Sequence, residues 1–408
     1  MIHIRDTLAG DRIWFHCAQS KEDLAEVRDF VGDNEILGID TESTGINCYR
    51  PTWRLRTVQI GDATDSYVIP AKFRRTIEWV MQQDLYLIGH NGPHDMRSID
   101  AFLGYETGVV CEGETYIPGH YADARNQAEG GIGHGLKEQA MALIDRDAGK
   151  WEKALKAAFK EIKVPIPGEV YKSGVNKGLQ KMRKIKLAEG WEMINLYHPA
   201  YVAYAAADPL LTYRVWHKRR AVVEQYSALY EFDHAVQQAC DTLQRRAMAL
   251  DVRYTARLSR AYLRTAQRRI ADAATYGCNN IQSSDQVAET LLRLGASLTQ
   301  QTESGKWSTK AEILRKLVSN PYTNAKVKDF INTVLVAKQL LKRREAYTEG
   351  MLREMDEQGR IHPSINSLAA RTSRMSVSGP PLQQLPTRDK EDELMWMSEE
   401  TTDETYAG

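Results

Sequence analysis

Three short clusters along the 408-residue chain carry side chains able to do acid–base or metal chemistry. Asp40-Thr-Glu42 sets two carboxylates at positions i and i+2, which on a strand point to one face. Asn91-Gly-Pro-His-Asp95 follows a short apolar run, and Tyr204-Ala-Ala-Ala-Asp208 puts a phenol and a carboxylate at i and i+4, one side of a helix. Alone, each has a bland reading: an acidic loop after a strand, a helix N-cap, and a surface aspartate beside a core tyrosine. In this order they form a set of four carboxylates and a tyrosine. Neighbouring carboxylates repel unless a cation bridges them. Hard oxygen donors suit Mg²⁺ or Mn²⁺ rather than zinc, and four of them can hold the two divalent cations used in phosphodiester hydrolysis.

The elements that must position these groups are legible in outline. Ile36-Leu-Gly-Ile-Asp40 reads as a buried strand, Leu55–Gly61 and Ser66–Ile69 as two more, and Leu85–Gly89 as a fourth. Helical spacing marks Phe73–Gln83 and a helix from about Met96 to Leu103. Pro199 sits where a first helical turn tolerates proline, opening a helix to about Arg220. Strands interleaved with helices predict an α/β layered domain over 1–222. Residues 123–145 read as helical around a Gly130–Gly133 break, and the insertion 150–190 as helix, loop and second basic helix. From about 223 to 388 the pattern is mostly helical. Capping boxes are expected at Ser283–Gln286 and Thr309–Glu312, and one long helix over 325–355.

Net charge is zero, with 54 Lys+Arg against 54 Asp+Glu, which at first argues against a polyanionic partner. The balance is uneven. Residues 389–408 hold eight acids and one base, leaving 53 bases and 46 acids, a net +7, over 1–388. The segment 153–186 has ten bases and two acids, with Trp151, Phe159, Tyr171 and Trp191 in or beside it. Such a mixture suits single-stranded nucleic acid; it also describes a solvated Lys-rich surface. Arg257, Arg260, Arg264 and Arg268 recur at helical spacing and could follow phosphates. The acidic end is expected to be disordered, or to dock a basic partner. Five well-separated cysteines exclude a disulfide framework or zinc ribbon and point to a reducing, cytoplasmic setting, and no run is apolar enough to span a membrane.

At the carboxylate clusters the chain resembles the DEDDy class of 3′→5′ exonuclease domains, which have an RNase H-like fold. The resemblance covers 1–222 and implies Asp40, Glu42, Asp95 and Asp208 as ligands of two Mg²⁺ or Mn²⁺ ions, with Tyr204 orienting the attacking water. It also implies that Thr41, Ile46, Asn91 and His94 lie against the 3′-terminal nucleotides. His94 departs from the apolar or aromatic residue common there. His134-Gly-Leu-Lys137 resembles the segment before a helix in the same domains.

Further on, Gly359-Arg-Ile-His-Pro-Ser-Ile-Asn366, Thr372-Ser-Arg-Met-Ser376 and Pro380-Pro-Leu-Gln-Gln-Leu-Pro386 resemble the opening of the polymerase domain in family A, the DNA polymerase I-like enzymes. The preceding helices resemble that family's thumb. This implies that Thr372, Arg374 and Gln383 contact a primer–template duplex. The palm and fingers of the family would follow Pro386, and no such motifs appear before Gly408. The expectation is therefore a proofreading-type DNA exonuclease from a phage or bacterium that does not itself polymerise, with a separate polymerase subunit as a candidate partner. A ribonuclease D-like enzyme and a non-catalytic DNA-binding subunit are the alternatives.

Overall fold

In the computed structural model of the chain, residues 1–385 are described; Pro386 and the acidic segment 389–408 lie outside them. The fold is mixed α/β and divides into two compact units, one of residues 1–246 with 365–376, the other of 247–364 with 377–385. Among the described residues no helix is long and apolar enough to cross a membrane. All five cysteines are free and buried.

The first unit is built on seven strands: β1 (Ile2–Leu8), β2 (Asp11–Cys17), β3 (Ile36–Ser43), β4 (Leu55–Gly61), β5 (Asp65–Pro70), β6 (Tyr86–Gly89) and β7 (Gly113–Glu114). Their order across the sheet is β1-β2-β5-β4-β3-β6-β7. β4 runs antiparallel to both β3 and β5, while β6 lies parallel to β3 and β2 parallel to β5. The β1–β2 hairpin adds an edge that the hydropathy pattern did not reveal. Around the sheet lie α1 (Leu24–Gly32), α2 (Arg74–Val80), α3 (Gly92–Leu103), α4 (Tyr116–Ala122), α5 (Leu136–Leu143), α6 (Lys150–Glu161), α7 (Gly190–Met193), α8 (Pro199–Gln225) and α9 (Ser227–Arg246). One apolar cluster joins Ile13 and Phe15 to Trp151, Leu155, Tyr201 and Leu210; another joins Ile39, Val58 and Ile60 to Val27, Ile77, Met96 and Ile99. A sheet covered on both faces explains why Ile36–Ile39 of β3 reads as an apolar run, while the alternating Leu55–Gly61 buries polar Thr57 and Gln59 as well.

Two expectations for this unit are corrected. Residues 123–135 are largely loop, because Gly130 and Gly133 adopt positive φ and helix resumes only at Leu136. The 150–190 insertion holds no second basic helix. After α6 the chain forms an antiparallel hairpin of β8 (Lys163–Val170) and β9 (Gln180–Lys184). Pro165 and Pro167 deny helical N–H groups there, and Gly174 and Gly178 with positive φ turn the chain.

The compact unit also runs past residue 222. α9 belongs to it, and so does the later segment 365–376. Leu368 is buried against Ile88, Ile117, Trp216 and Tyr230, and the Tyr116 hydroxyl donates to the Leu368 carbonyl at 3.1 Å. Leu368→Ala is expected to destabilise this unit by about 2–5 kcal/mol, the usual cost of emptying a filled core site. Chemical denaturation checks this, and a loss below about 1 kcal/mol would mean that the segment is not anchored there.

The second unit is helical: α10 (Val252–Thr275), α11 (Ser284–Arg293), α12 (Ala311–Ser319) and α13 (Ala325–Arg343) close around Leu291, Val327, Phe330 and Val334. Beyond α13, residues 344–349 form a π-helical turn before helix resumes at Gly350, so the expected 325–355 helix is interrupted rather than regular. Ser283 caps α11 as expected, accepting from the Gln286 N–H, but Gln286 reaches back to the Asn280 N–H instead of closing the box on Ser283. Thr309 caps nothing. A bridge between Gln301 and Trp307 and the Ser308 N–H bond to Gln300 hold the chain extended, and Lys310 becomes the N-cap of α12.

Candidate active site

β3 carries Asp40 and Glu42 toward α8, where Asp208 sits one residue before Pro209. The approach is close because Gly38 has no side chain: a Cβ there would collide with the Pro209 carbonyl oxygen. One oxygen from each of Asp40, Glu42 and Asp208 lies within 4.8 Å of the others. Asp95, from the first turn of α3, accepts a 2.6 Å hydrogen bond from the Thr41 hydroxyl. Thr41 is thus committed to the carboxylate site, one residue from Asp40.

α3 is started by an unusual cap. Asn91 is its N-cap in the left-handed conformation and gives no side-chain bond. The capping carboxylate comes instead from Glu114 on β7, which accepts from the N–H groups of Asn91, Gly92 and Tyr116 at 2.8–2.9 Å. An Asp95 cap is therefore unnecessary, and that carboxylate is left for the cluster.

Electrostatically the cluster is under tension. Burial pushes Asp40 up to about 7, opposed by the Lys137 charge. Glu42 and Asp95 are raised well above the usual carboxylate range, by burial first and by the Asp40 charge next. Lys137, on α5, is ion-paired with Asp208, and its Nζ lies 4.8 Å from the centre of the Tyr204 ring. Burial pushes Lys137 down to about 8, while Asp40 and Glu42 favour its charged form. Asp40 Oδ2 is buried without a hydrogen-bond partner. This all-oxygen donor set with an orphaned carboxylate oxygen fits hard divalent cations. Tyr204, one helical turn before Asp208, is held protonated by burial and by the Glu42 and Asp40 charges, so its phenol is a donor.

The remaining residues singled out from the sequence fall as follows. Ile46 lies in the loop after β3 and is 81% exposed, an apolar side chain presented to solvent. His94 lies in the first turn of α3, pushed down to about 4 by burial and thus neutral. Trp191 packs on Tyr204 with ring centroids 5.6 Å apart, and Arg56 holds the Trp191 and Ile194 carbonyls. The β8–β9 hairpin therefore springs from a wall fastened beside the tyrosine. Thr372 and Arg374 are exposed on the segment 365–376 of the first unit, and Gln383 in the second accepts from the Val377 N–H at 3.2 Å. Arg257, Arg260, Arg264 and Arg268 are all exposed along α10. Lys137 and Glu114 were not singled out for a role, since their partners are remote in sequence.

Residues 252–397 match the family model described as DNA polymerase family A. It is 30% identical over 398 residues to the DNA polymerase of Mycobacterium phage L5 and 28% identical over 404 residues to that of Mycobacterium phage D29. Each alignment covers 95% of this chain and 62% of the relative, so the chain spans about three-fifths of the length of these curated proteins. DNA polymerase I of Chloroflexus aurantiacus is 29% identical over 279 residues, 64% of this chain and 28% of that protein. Among solved structures, the polymerase domain of Pol1 from M. smegmatis, in complex with DNA primer-template and dNTP, aligns with a TM-score of 0.57 at 14% identity, covering 92% of this chain and 56% of that one. That likeness is one of fold.

Proposed function

We propose that the first unit is a 3′→5′ DNA exonuclease of the proofreading type, acting in DNA replication or repair. The observation that carries this reading is the convergence of Asp40, Glu42 and Asp208 within 4.8 Å, next to Asp95 and Tyr204. The strand order β5-β4-β3-β6-β7, with the carboxylates on its central strand, supports an RNase H-like fold. Asp40, Glu42, Asp95 and Asp208 would hold two divalent cations, Mg²⁺ or Mn²⁺, which supply a nucleophile from water and stabilise the leaving 3′-oxygen. The Tyr204 phenol, kept protonated, aligns the water by hydrogen bonding and need not ionise. Lys137 neutralises part of the carboxylate charge at Asp208 and holds the cluster together in the folded protein. In this reading the exposed Ile46 side chain packs on the terminal base. The products are nucleoside 5′-monophosphates.

The test is a 5′-labelled primer with Mg²⁺, in deoxy and ribo versions, single-stranded and annealed. Stepwise shortening of the deoxy strand is expected. Degradation of the ribo strand alone would favour a ribonuclease D-like enzyme, and no cleavage a DNA-binding role.

The β8–β9 hairpin is read as the guide for the incoming strand. Lys172, Lys177 and Lys184 are exposed on it. Replacing all three with glutamate should weaken single-strand binding by roughly 10–100-fold and lower the slope of log affinity against log salt by about 2, since each lost phosphate contact removes about 0.7. A fluorescence titration at several salt concentrations measures both; an unchanged slope would remove the hairpin from the binding path.

A further inference from the structure

A second group of possible metal ligands lies apart from the carboxylates. β5 and β4 separate β2 from β3 in the sheet. In register, His3 on β1 faces His16 on β2, and His16 faces Tyr67 on β5, a row across three strands. The His3 and His16 Nδ1 atoms are 2.7 Å apart, with rings nearly perpendicular at 80°. α1 brings Glu26 over the same face, with Oε1 3.9 Å from His16 Nδ1 and accepting from the Tyr67 hydroxyl at 3.0 Å. The ring of buried His16 is fixed from both sides: it stacks on Tyr67 at 4.4 Å, and its Nε2 meets Asp65 Oδ1 at 3.1 Å. With Nε2–H donating to Asp65, the Nδ1 lone pair of His16 points at His3 and Glu26.

We propose that His3, His16 and Glu26 bind one divalent transition-metal ion of the zinc type. Two imidazole nitrogens and a carboxylate oxygen are the ligand types such an ion prefers over Mg²⁺, and three protein ligands leave a fourth position for water. Asp65 is the outer carboxylate that metal-bound histidines commonly carry on their second nitrogen. Nitrogens bound to one zinc at about 2.0–2.1 Å lie roughly 3.3 Å apart, so the two rings need part by only about half an ångström. His3 is exposed and can carry its proton on Nε2, freeing Nδ1 as a ligand. The bound ion would clip edge strand β1 to β2 and to α1. Nothing in this proposal depends on the nuclease reading.

The experiment titrates the full chain with Co²⁺ and with Zn²⁺ against a chromophoric chelator. The unmodified chain should give the intense visible bands of a nitrogen-containing tetrahedral Co²⁺ site, which an all-oxygen site does not give. In a chain carrying Asp40→Asn and Asp208→Asn, one equivalent of Zn²⁺ should still bind. His3→Ala and Glu26→Gln, both at solvent-accessible positions, should each weaken it at least tenfold, and Asp65→Asn roughly 10–100-fold. Zn²⁺ should raise the melting temperature of the parent and not of His3→Ala. Absence of the Co²⁺ bands, or Zn²⁺ affinity unchanged by His3→Ala, would overturn the proposal and leave His3–His16 a hydrogen-bonded pair.

Discussion

Asp40→Ala is expected to lower Mg²⁺-dependent shortening of a primer by at least about a hundred- to a thousandfold, the range for removing one preorganised charge-stabilising group from a reaction centre. The chain should stay folded. Asp40 Oδ2 makes no hydrogen bond, and burial already raises this carboxyl from its usual 3.8 to about 7. That shift also makes a prediction without DNA. Between about pH 4 and 7 the native protein holds a proton on Asp40 that the unfolded chain releases, so stability without metal falls as pH rises through that window and then levels off. Asp40→Asn cannot titrate and should flatten this part of the profile. Denaturation in chelator at pH 5 and pH 8 measures it. Wild-type digestion rates in Asp40→Ala would remove the nuclease assignment, and a parallel pH profile in Asp40→Asn would remove the electrostatic account.

Glu114→Ala is expected to be the most damaging single change to the fold around the site. The carboxylate satisfies three backbone N–H groups at the starts of α3 and α4, and Gln237 donates to it as well. Alanine would orphan those donors, at about 1–3 kcal/mol for each that stays buried and dry. Burial raises Glu114 above its usual range, so its own desolvation offsets part of the gain. A net loss of about 3–4 kcal/mol, a fall of roughly 10 °C in melting temperature, is the expected result. Activity should fall too, because Asp95 rides on the turn that Glu114 holds. Glu114→Gln keeps an acceptor and should fall between. Melting within about 2 °C of wild type for Glu114→Ala would show the α3 start to be held by something else.

The two predictions also show which parts of the molecule were readable in one dimension. Asp40, Glu42, Asp95, Tyr204 and Asp208 stood out because each cluster is local and its spacing matches a strand or helix period. Glu114 did not, since two of its three backbone N–H partners, those of Asn91 and Gly92, lie more than twenty residues away, with no sequence signature. Lys137 was visible only as part of a helix-start segment; that its ammonium reaches Asp208 depends on the packing of α5 against α8. The basic insertion misled in a different way. Lysines at helical spacing in α6 invited the same reading for the residues beyond it, although Pro165 and Pro167 argued for extended chain. Thr309 failed as a cap because bonds to Gln300 and Gln301 hold its neighbours extended, a long-range constraint that outweighs a local preference.

Leu368 and its neighbours have a practical consequence for dissecting this protein. The first unit is discontinuous: its last piece, 365–376, is encoded after the whole of 247–364. A fragment cut at Arg246 would keep every carboxylate yet lose Leu368, uncovering Ile88, Ile117, Trp216 and Tyr230 together. Such a fragment should be sticky rather than merely weaker, prone to self-association through the uncovered aromatic floor. Replacing 247–364 with a short flexible loop, so that 365–376 returns to its place, is the more rational route to an isolated unit.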